Sequence, residues 1–309
     1  MSAHASITSP APEPAVSAVL PRLRPLTFVV LAGVSATALD QQAQFRGAAD
    51  TVALYVTVTD HRGAHLDGLT RDEFQIHDNG VPREIVAFGS GAQPITAVLL
   101  LDMRGSVRDI PWLQYASEQF VAALRPEDRI RLGTFGDEIA VSPRLTSDRA
   151  YLTWILREEL WPAGQSPVWR AIDTAMTSLA NESGRRDIIV LTNGEDTTRN
   201  LDGMMKSWST VPSRAAREAF VVHLVTFKSL SVDRRLRTVA RETGGQHVVI
   251  KDLSGAADAF TDIARNLHAQ YLVGFVPAAF DGKPHEITVR VTRPGAVVHT
   301  RPRYVAPIR

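Results

Sequence analysis

The chain has 309 residues, 34 basic against 33 acidic side chains, 44% hydrophobic residues and no cysteine. That apolar share suffices for one large domain or two modest ones, and it excludes a disordered tail or a collagen-like repeat. A net charge of +1 excludes a generally basic nucleic-acid binder. The missing cysteine excludes disulfides, thiolate metal sites, a cysteine nucleophile and a cysteine-linked lipid.

Residues 1–20 are rich in Ala, Ser and Pro. Arg22 and Arg24 then precede a short apolar run, Leu26–Val34, and Ala36-Thr37-Ala38 is a small-x-small cleavage pattern. These three parts in this order predict a secretory signal peptide over 1–38, with a disordered leading region, and hence a periplasmic or secreted chain. The apolar run is shorter than the roughly 20 residues that cross a bilayer. No later segment is long and apolar enough, so no integral membrane segment is expected after signal cleavage. Removal of Arg22, Arg24 and Glu13 leaves the mature chain formally neutral.

From Thr51, the residues Val52, Leu54, Val56 and Val58 alternate with Ala53, Tyr55, Thr57 and Thr59, which predicts a half-buried strand. Glu73–His77 is a second strand, Asp78-Asn79-Gly80 a hairpin signal and Arg83–Phe88 the return strand. This β block occupies 45–92. The character changes in the segment 93–270. Thr96–Leu101 is a continuous apolar run, the pattern of a strand buried on both faces of a parallel sheet. A helix follows to Leu124, then strands over Arg129–Phe135 and Glu138–Ser142. Further helices are predicted over Ser147–Leu160, from Ser166-Pro167 to Leu179 with Ser166 as N-cap, after Thr192, over Val232–Thr243 and over Gly255–Gln270. Strands lie between them at Asp187–Thr192, Phe220–Phe227 and His247–Ile250. This alternation predicts a doubly wound, mainly parallel, Rossmann-like α/β sheet. Over 271–306, Tyr271–Val276, His285–Val291 and Val297–Tyr304 return to strands. Each flanking block alone has about three strands, which is marginal for independent stability. The two are therefore expected to pair into one small all-β sandwich-like domain with the α/β domain inserted. The alternative is two separate β appendages.

Ligands of an open α/β sheet bind beyond the carboxyl ends of its strands. Three loops qualify: Leu101–Ser106, Ala163–Ser166 and Leu191–Asp196. Asp102 closes a buried apolar strand, and a buried carboxylate needs partners. A carboxylate with hydroxyls from separate loops suits a hard divalent cation.

At these residues the sequence resembles the von Willebrand factor type A (VWA) family. Its metal-ion-dependent adhesion motif places D-x-S-x-S on the first loop, Thr on the second and Asp on the third. Leu99–Ser106 resembles the first element, Gly164–Ile172 the second with Ser166 at the Thr position, and Val190–Asp196 the third. Over roughly 45–305 the chain is similar to the bacterial VWFA-related proteins of acidobacterial type. The upstream likeness runs through Asp60, Gly63, Gly68, Leu69, Phe74 and Asp78-Asn79-Gly80, and the downstream one through Tyr271, Gly274, Phe275, Asp281-Gly282 and His285. The resemblance implies a VWA-like fold and a non-enzymatic role in protein–protein interaction, adhesion or scaffolding, with another protein as partner. Two departures weaken the implied metal site: Arg104 stands at the first Ser and Asn193 at the Asp. The implied ligands reduce to Asp102, Ser106 and Ser166. The expectation is a degenerate site without a cofactor, in which Arg104 takes the ion's electrostatic role and pairs with Asp102. The ligand face is then Asp102, Arg104, Ser106, Ser166, Asn193 and Glu195, open to an acidic group of the partner. The alternative is retained binding of Mg2+ or another divalent cation.

No histidine pair has zinc spacing on a helix, and no G-x-S-x-G, G-x-G-x-x-G or P-loop occurs. His61 and His65 read as solvated turn residues, His223 as a core residue, and Arg185-Arg186 and Arg234-Arg235 as solvated pairs. Trp161 and Trp169 bracket the Ser166 loop and serve either core packing or aromatic contact. A second functional reading is a Rossmann-like hydrolase or transferase using Asp102 and Ser106, though no histidine base lies in the three loops. A third is a purely structural envelope component.

Overall fold

The computed structural model describes residues 51–90, 93–198, 201–227 and 232–308, all within one unit, Ala36–Arg309. The signal peptide expected over 1–38 lies outside the described residues. The first block holds β1 (Val52–Thr59), β2 (Phe74–Asp78), β3 (Val81–Arg83) and β4 (Ile85–Gly89). The α/β segment follows as β5 (Thr96–Asp102), α1 (Ile110–Ala123), β6 (Arg129–Phe135), β7 (Ile139–Val141), α2 (Arg149–Glu158) and α3 (Val168–Ser178). It continues as β8 (Arg186–Thr192), α4 (Leu201–Arg217), β9 (Phe220–Phe227), α5 (Arg234–Thr243), β10 (His247–Ile250) and α6 (Ala256–His268). The chain ends in β11 (Tyr271–Phe275), β12 (Pro284–Val291), β13 (Val297–His299) and β14 (Arg303–Val305).

Every residue of β5 is buried, because strands flank it on both edges and helices cover both faces. The six-stranded order is β10-β9-β8-β5-β6-β7, parallel throughout except for β7. Leu99 and Leu101 pack towards Leu113 and Phe120 of α1, Leu152 of α2 and Phe260 of α6. Val98 and Leu100 pack on the other face with Trp169 of α3, Val211 of α4 and Leu236 of α5. Side chains alternating along one strand thus serve two cores, as a doubly wound sheet requires. The chain leaves β5 to β6 on one side and returns to β8 on the other. The crevice for a ligand therefore opens between the carboxyl ends of β5 and β8.

Two antiparallel sheets mix strands from before and after the α/β segment: β13-β1-β11-β4 and β14-β12-β2-β3. Their shared core includes Leu54, Val56, Phe74, Ile76, Val273, Phe275 and Ile287. Two strands expected to be continuous are each divided between the sheets. Arg83–Phe88 breaks at Glu84, so that β3 pairs with β2 and β4 with β11. Val297–Tyr304 breaks at Thr300–Pro302, so that β13 pairs with β1 and β14 with β12. Pro302 has no N–H to continue a ladder. The side chains of Thr300 and Arg301 turn back to donate to the carbonyls of Tyr55 and Ala53, at 3.0 and 2.8 Å. Between the layers the fully buried Asp78 accepts from the His285 ring at 2.8 Å, the Tyr304 hydroxyl at 3.0 Å and the Ala278 amide at 2.7 Å.

Several polar side chains read as solvated are packed instead. Arg185 is 4% exposed and forms a 2.7 Å ion pair with Asp187, which His223 also contacts at 3.1 Å. The Arg186 guanidinium lies 4.3 Å over the Phe220 ring. Arg234 and Arg235 are both exposed, as read from the sequence, with the Arg235 guanidinium 4.0 Å over Trp208. His65 bonds Asn266 at 2.6 Å. Arg185 is also held by the Leu267 carbonyl, and Arg186 and His65 find their partners on elements distant in sequence, which spacing along the chain does not reveal.

Candidate functional site

Asp102 ends β5 and is 9% exposed. Its Oδ2 accepts from Ser166 Oγ and from Thr192 Oγ1, each at 2.7 Å. Its Oδ1 accepts from the Arg104 amide at 3.0 Å. Burial pushes the Asp102 pKa up, and the hydroxyls of Ser166 and Thr192 with the Arg104 and Asn193 amides offset part of that rise. The three loops identified from the sequence therefore do converge on this carboxylate.

The loops are tied to one another by further bonds. The Ser166 amide donates to Thr197 Oγ1 at 2.8 Å, and the Thr197 amide donates to the Ser166 carbonyl at 3.1 Å. Ser166 does not cap α3 with its side chain, as expected from Ser166-Pro167, because its hydroxyl is committed to Asp102. Asp196 of the third loop takes the capping role and accepts from the Trp169 amide at 3.1 Å. Asn193 Oδ1 accepts from the Glu195 amide at 3.1 Å. Gly194, between them, has φ +85° and a Cβ there would lie 2.9 Å from Val232, so the turn needs glycine.

The remaining residues of the expected face are placed differently. The Arg104 guanidinium reaches Glu195 Oε2 at 3.1 Å, not Asp102. The expected Arg104–Asp102 charge pair is thus replaced: Asp102 is satisfied by two hydroxyls and backbone amides, and Arg104 pairs with the part-exposed carboxylate of Glu195. Ser106 is exposed and is not among the hydrogen-bond partners of Asp102. Its Oγ accepts from the Arg108 amide at 3.2 Å and its amide donates to Asp109 at 2.7 Å, which caps a short 3-10 turn ahead of α1.

Of these groups Asp102, Arg104, Ser106 and Asn193 line a cleft of about 710 Å3, together with Trp112, Phe227, Lys251 and Ser254. Thr192, Lys251 and Trp112 were missed in the sequence. The signal for two of them was available: Thr192 immediately precedes Asn193, and Lys251 follows β10 at the same carboxyl edge that selected the other loops. Trp112 is 48% exposed on α1. Of the bracketing tryptophans, Trp169 is core and Trp161 is 73% exposed.

No family model and no curated protein matches the sequence. Among solved structures the chain is similar to a von Willebrand factor type A protein from Catenulispora acidiphila, with 13% identity and a TM-score of 0.51 over 82% of this chain and 75% of that one. It also aligns with the vWF domain of the type V pili tip protein Mfa5 from Porphyromonas gingivalis, at 13% identity and a TM-score of 0.45 over 58% of this chain and 96% of that one. A minor pilin, PilB from Streptococcus sanguinis, aligns at 13% identity and a TM-score of 0.46 over 58% and 62%. The first of these likenesses, with the sheet order above, gives the chain a VWA fold.

Proposed function

We propose that this VWA-fold chain is an exported, non-enzymatic module that binds another protein at the Asp102 cleft. Its metal site is degenerate, and Arg104 contacts an acidic group of the partner. The observation that carries this reading is the Arg104–Glu195 pair at the cleft rim. Both side chains are about one-third exposed, at 34% and 37%. Such a pair contributes ~0–1 kcal/mol, so a partner carboxylate exchanges with Glu195 at little cost. The guanidinium then offers a planar two-pronged donor. The exposed Trp112 beside it supplies the kind of aromatic anchor that dominates protein interfaces.

The donor set does not suit a divalent cation. Asp102 is the single motif carboxylate, Asn193 turns its amide oxygen to the Glu195 amide, and a guanidinium stands at the rim. Against a hydrolase, no histidine occurs among the described residues lining the cleft, and Ser106 is used as a turn cap. Export rests on the n-region, apolar run and cleavage pattern of 1–38. N-terminal sequencing of the exported chain is expected to begin at Leu39, and a cytoplasmic chain retaining Met1 would overturn export.

The binding reading is tested by co-purification from the envelope and secreted fractions with quantified partner yield. Arg104→Glu is expected to lower the yield of the same partner at least about tenfold, the equivalent of ~1.4 kcal/mol. Glu195→Gln is expected to keep or raise it, and EDTA to leave it unchanged. A partner lost on EDTA treatment, or indifferent to Arg104→Glu, would defeat the proposal.

A further inference from the structure

A second cleft, of about 580 Å3, is lined by β1, the Gly184-Arg185 turn ahead of β8, the Phe220 end of β9 and the β14 segment. Its size falls in the range of small-molecule sites, about 300–1,000 Å3. Its polar lining is unevenly satisfied. The half-buried Arg301 guanidinium donates to the Ala53 carbonyl and stacks 5.9 Å from the Tyr304 ring, and among the described residues no carboxylate pairs with it. Burial lowers its pKa to about 10, so it stays charged at neutral pH without a counter-charge. The other arginines of this cleft are matched: Arg185 by Asp187, Arg303 by Glu286 and Arg217 by Glu218.

Two neutral groups complete the lining. Gln270 is 5% exposed; its amide nitrogen donates to Thr57 at 3.0 Å and its amide oxygen has no partner. With the amide turned over, the Thr57 hydroxyl donates to that oxygen and the NH2 group becomes the unpartnered donor. The Tyr55 hydroxyl has no hydrogen bond among the described residues, and burial raises its pKa to about 12, so it remains a neutral donor. A half-buried cation without a counter-charge gains from an incoming anion, and the neighbouring donors are those an oxyanion would use.

We propose that this cleft binds a small amphipathic molecule with one carboxylate or phosphate group, the anion against Arg301 and the apolar part against Val305 and Ile308. The site is independent of the Asp102 cleft and of the function proposed for it.

The test titrates the full chain with octanoate, inorganic phosphate and octanol, followed by NMR shifts or calorimetry. Saturable binding of octanoate or phosphate is expected, with octanol weaker than octanoate by at least about tenfold. Whichever anion binds better identifies the head group. Arg301→Gln is expected to weaken octanoate about tenfold or more, Arg301→Lys less, and Tyr55→Phe a few-fold. Thermal unfolding of each variant establishes that it is folded; if Arg301→Gln does not fold, the octanoate–octanol comparison on the unaltered chain decides. Equal binding of octanol and octanoate, or no saturable binding of either anion, would overturn the proposal.

Discussion

Asp187→Asn is expected to cost about 3–5 kcal/mol of folding stability, read as a lowered urea midpoint. Asp187 is completely buried, and its Arg185 partner is 2% exposed at the side chain. Arg185 is further held by its donation to the Leu267 carbonyl at 3.1 Å and by the Tyr55 ring 5.0 Å away. It cannot swing to water when the carboxylate is removed, so the variant leaves a buried cation unpaired. That is a large share of a typical domain stability of about 5–15 kcal/mol. The double variant Arg185→Met, Asp187→Leu is expected to recover most of the loss, because it removes both desolvated charges together. A loss under about 1 kcal/mol for Asp187→Asn, the range of an exposed pair, would overturn this account. The pH dependence follows from the same contacts. Burial alone raises the Asp187 pKa, but the Arg185 charge and the His223 hydrogen bond hold it below its ordinary 3.8. A depressed carboxylate contributes stability above its unfolded pKa and loses that contribution as pH falls through the folded one. The wild type is therefore expected to lose stability on acidification below about pH 4, and Asp187→Asn to lack that component.

Arg185 also shows where sequence reading stops. Its neighbours in sequence place it just before a strand, and a basic residue there is ordinarily solvated. Only the packing of α6 and β1 around it, from elements more than eighty residues away in the chain, makes it a core residue. The parallel sheet was legible because β5 needs apolar residues at every position, and Thr96–Leu101 has no other economical explanation. The division of Val297–Tyr304 between two sheets was not legible, since period two is the same in either sheet. The site divides in the same way. Asp102 was found because a carboxylate ending an apolar strand must have partners, and Ser166 because a loop hydroxyl was needed. The direction of Arg104 was not encoded by its position: the choice between Asp102 and Glu195 depended on whether Thr192 and Ser166 had already filled the buried oxygen. A long flexible cation goes to the acceptor left over, and the sequence does not say which that will be.

The double variant Arg104→Ser, Asn193→Asp is expected to create divalent-cation binding with a Kd of about 10^-4 to 10^-3 M, from a starting chain with no saturable binding. Arg104→Ser removes the guanidinium from the rim and releases Glu195 from its pair. Asn193→Asp adds a second carboxylate where the side chain already accepts from the Glu195 amide, so the loop geometry keeps its bond. Ser166 and Thr192 donate their protons to Asp102 and retain oxygen lone pairs for a cation. The single variant Asn193→Asp is expected to gain much less, because the Arg104 charge still opposes the ion and takes up a carboxylate. Calorimetric titration with Mg2+ or Mn2+ reads the affinity. Thermal unfolding reads it independently, since a ligand at about a hundred times its Kd stabilises the native state by ~2.7 kcal/mol. Tight stoichiometric binding by the unaltered chain would show that Arg104 and Asn193 do not disable the site. No gain in the double variant would mean that Asp102, Ser166 and Thr192 are a structural clasp between loops, and the ligand face would have to be sought elsewhere in the cleft, at Trp112 and Lys251. The two failures are distinct because the first concerns the charge balance at Arg104 and the second concerns whether the buried hydroxyls can turn from Asp102 to an ion at all.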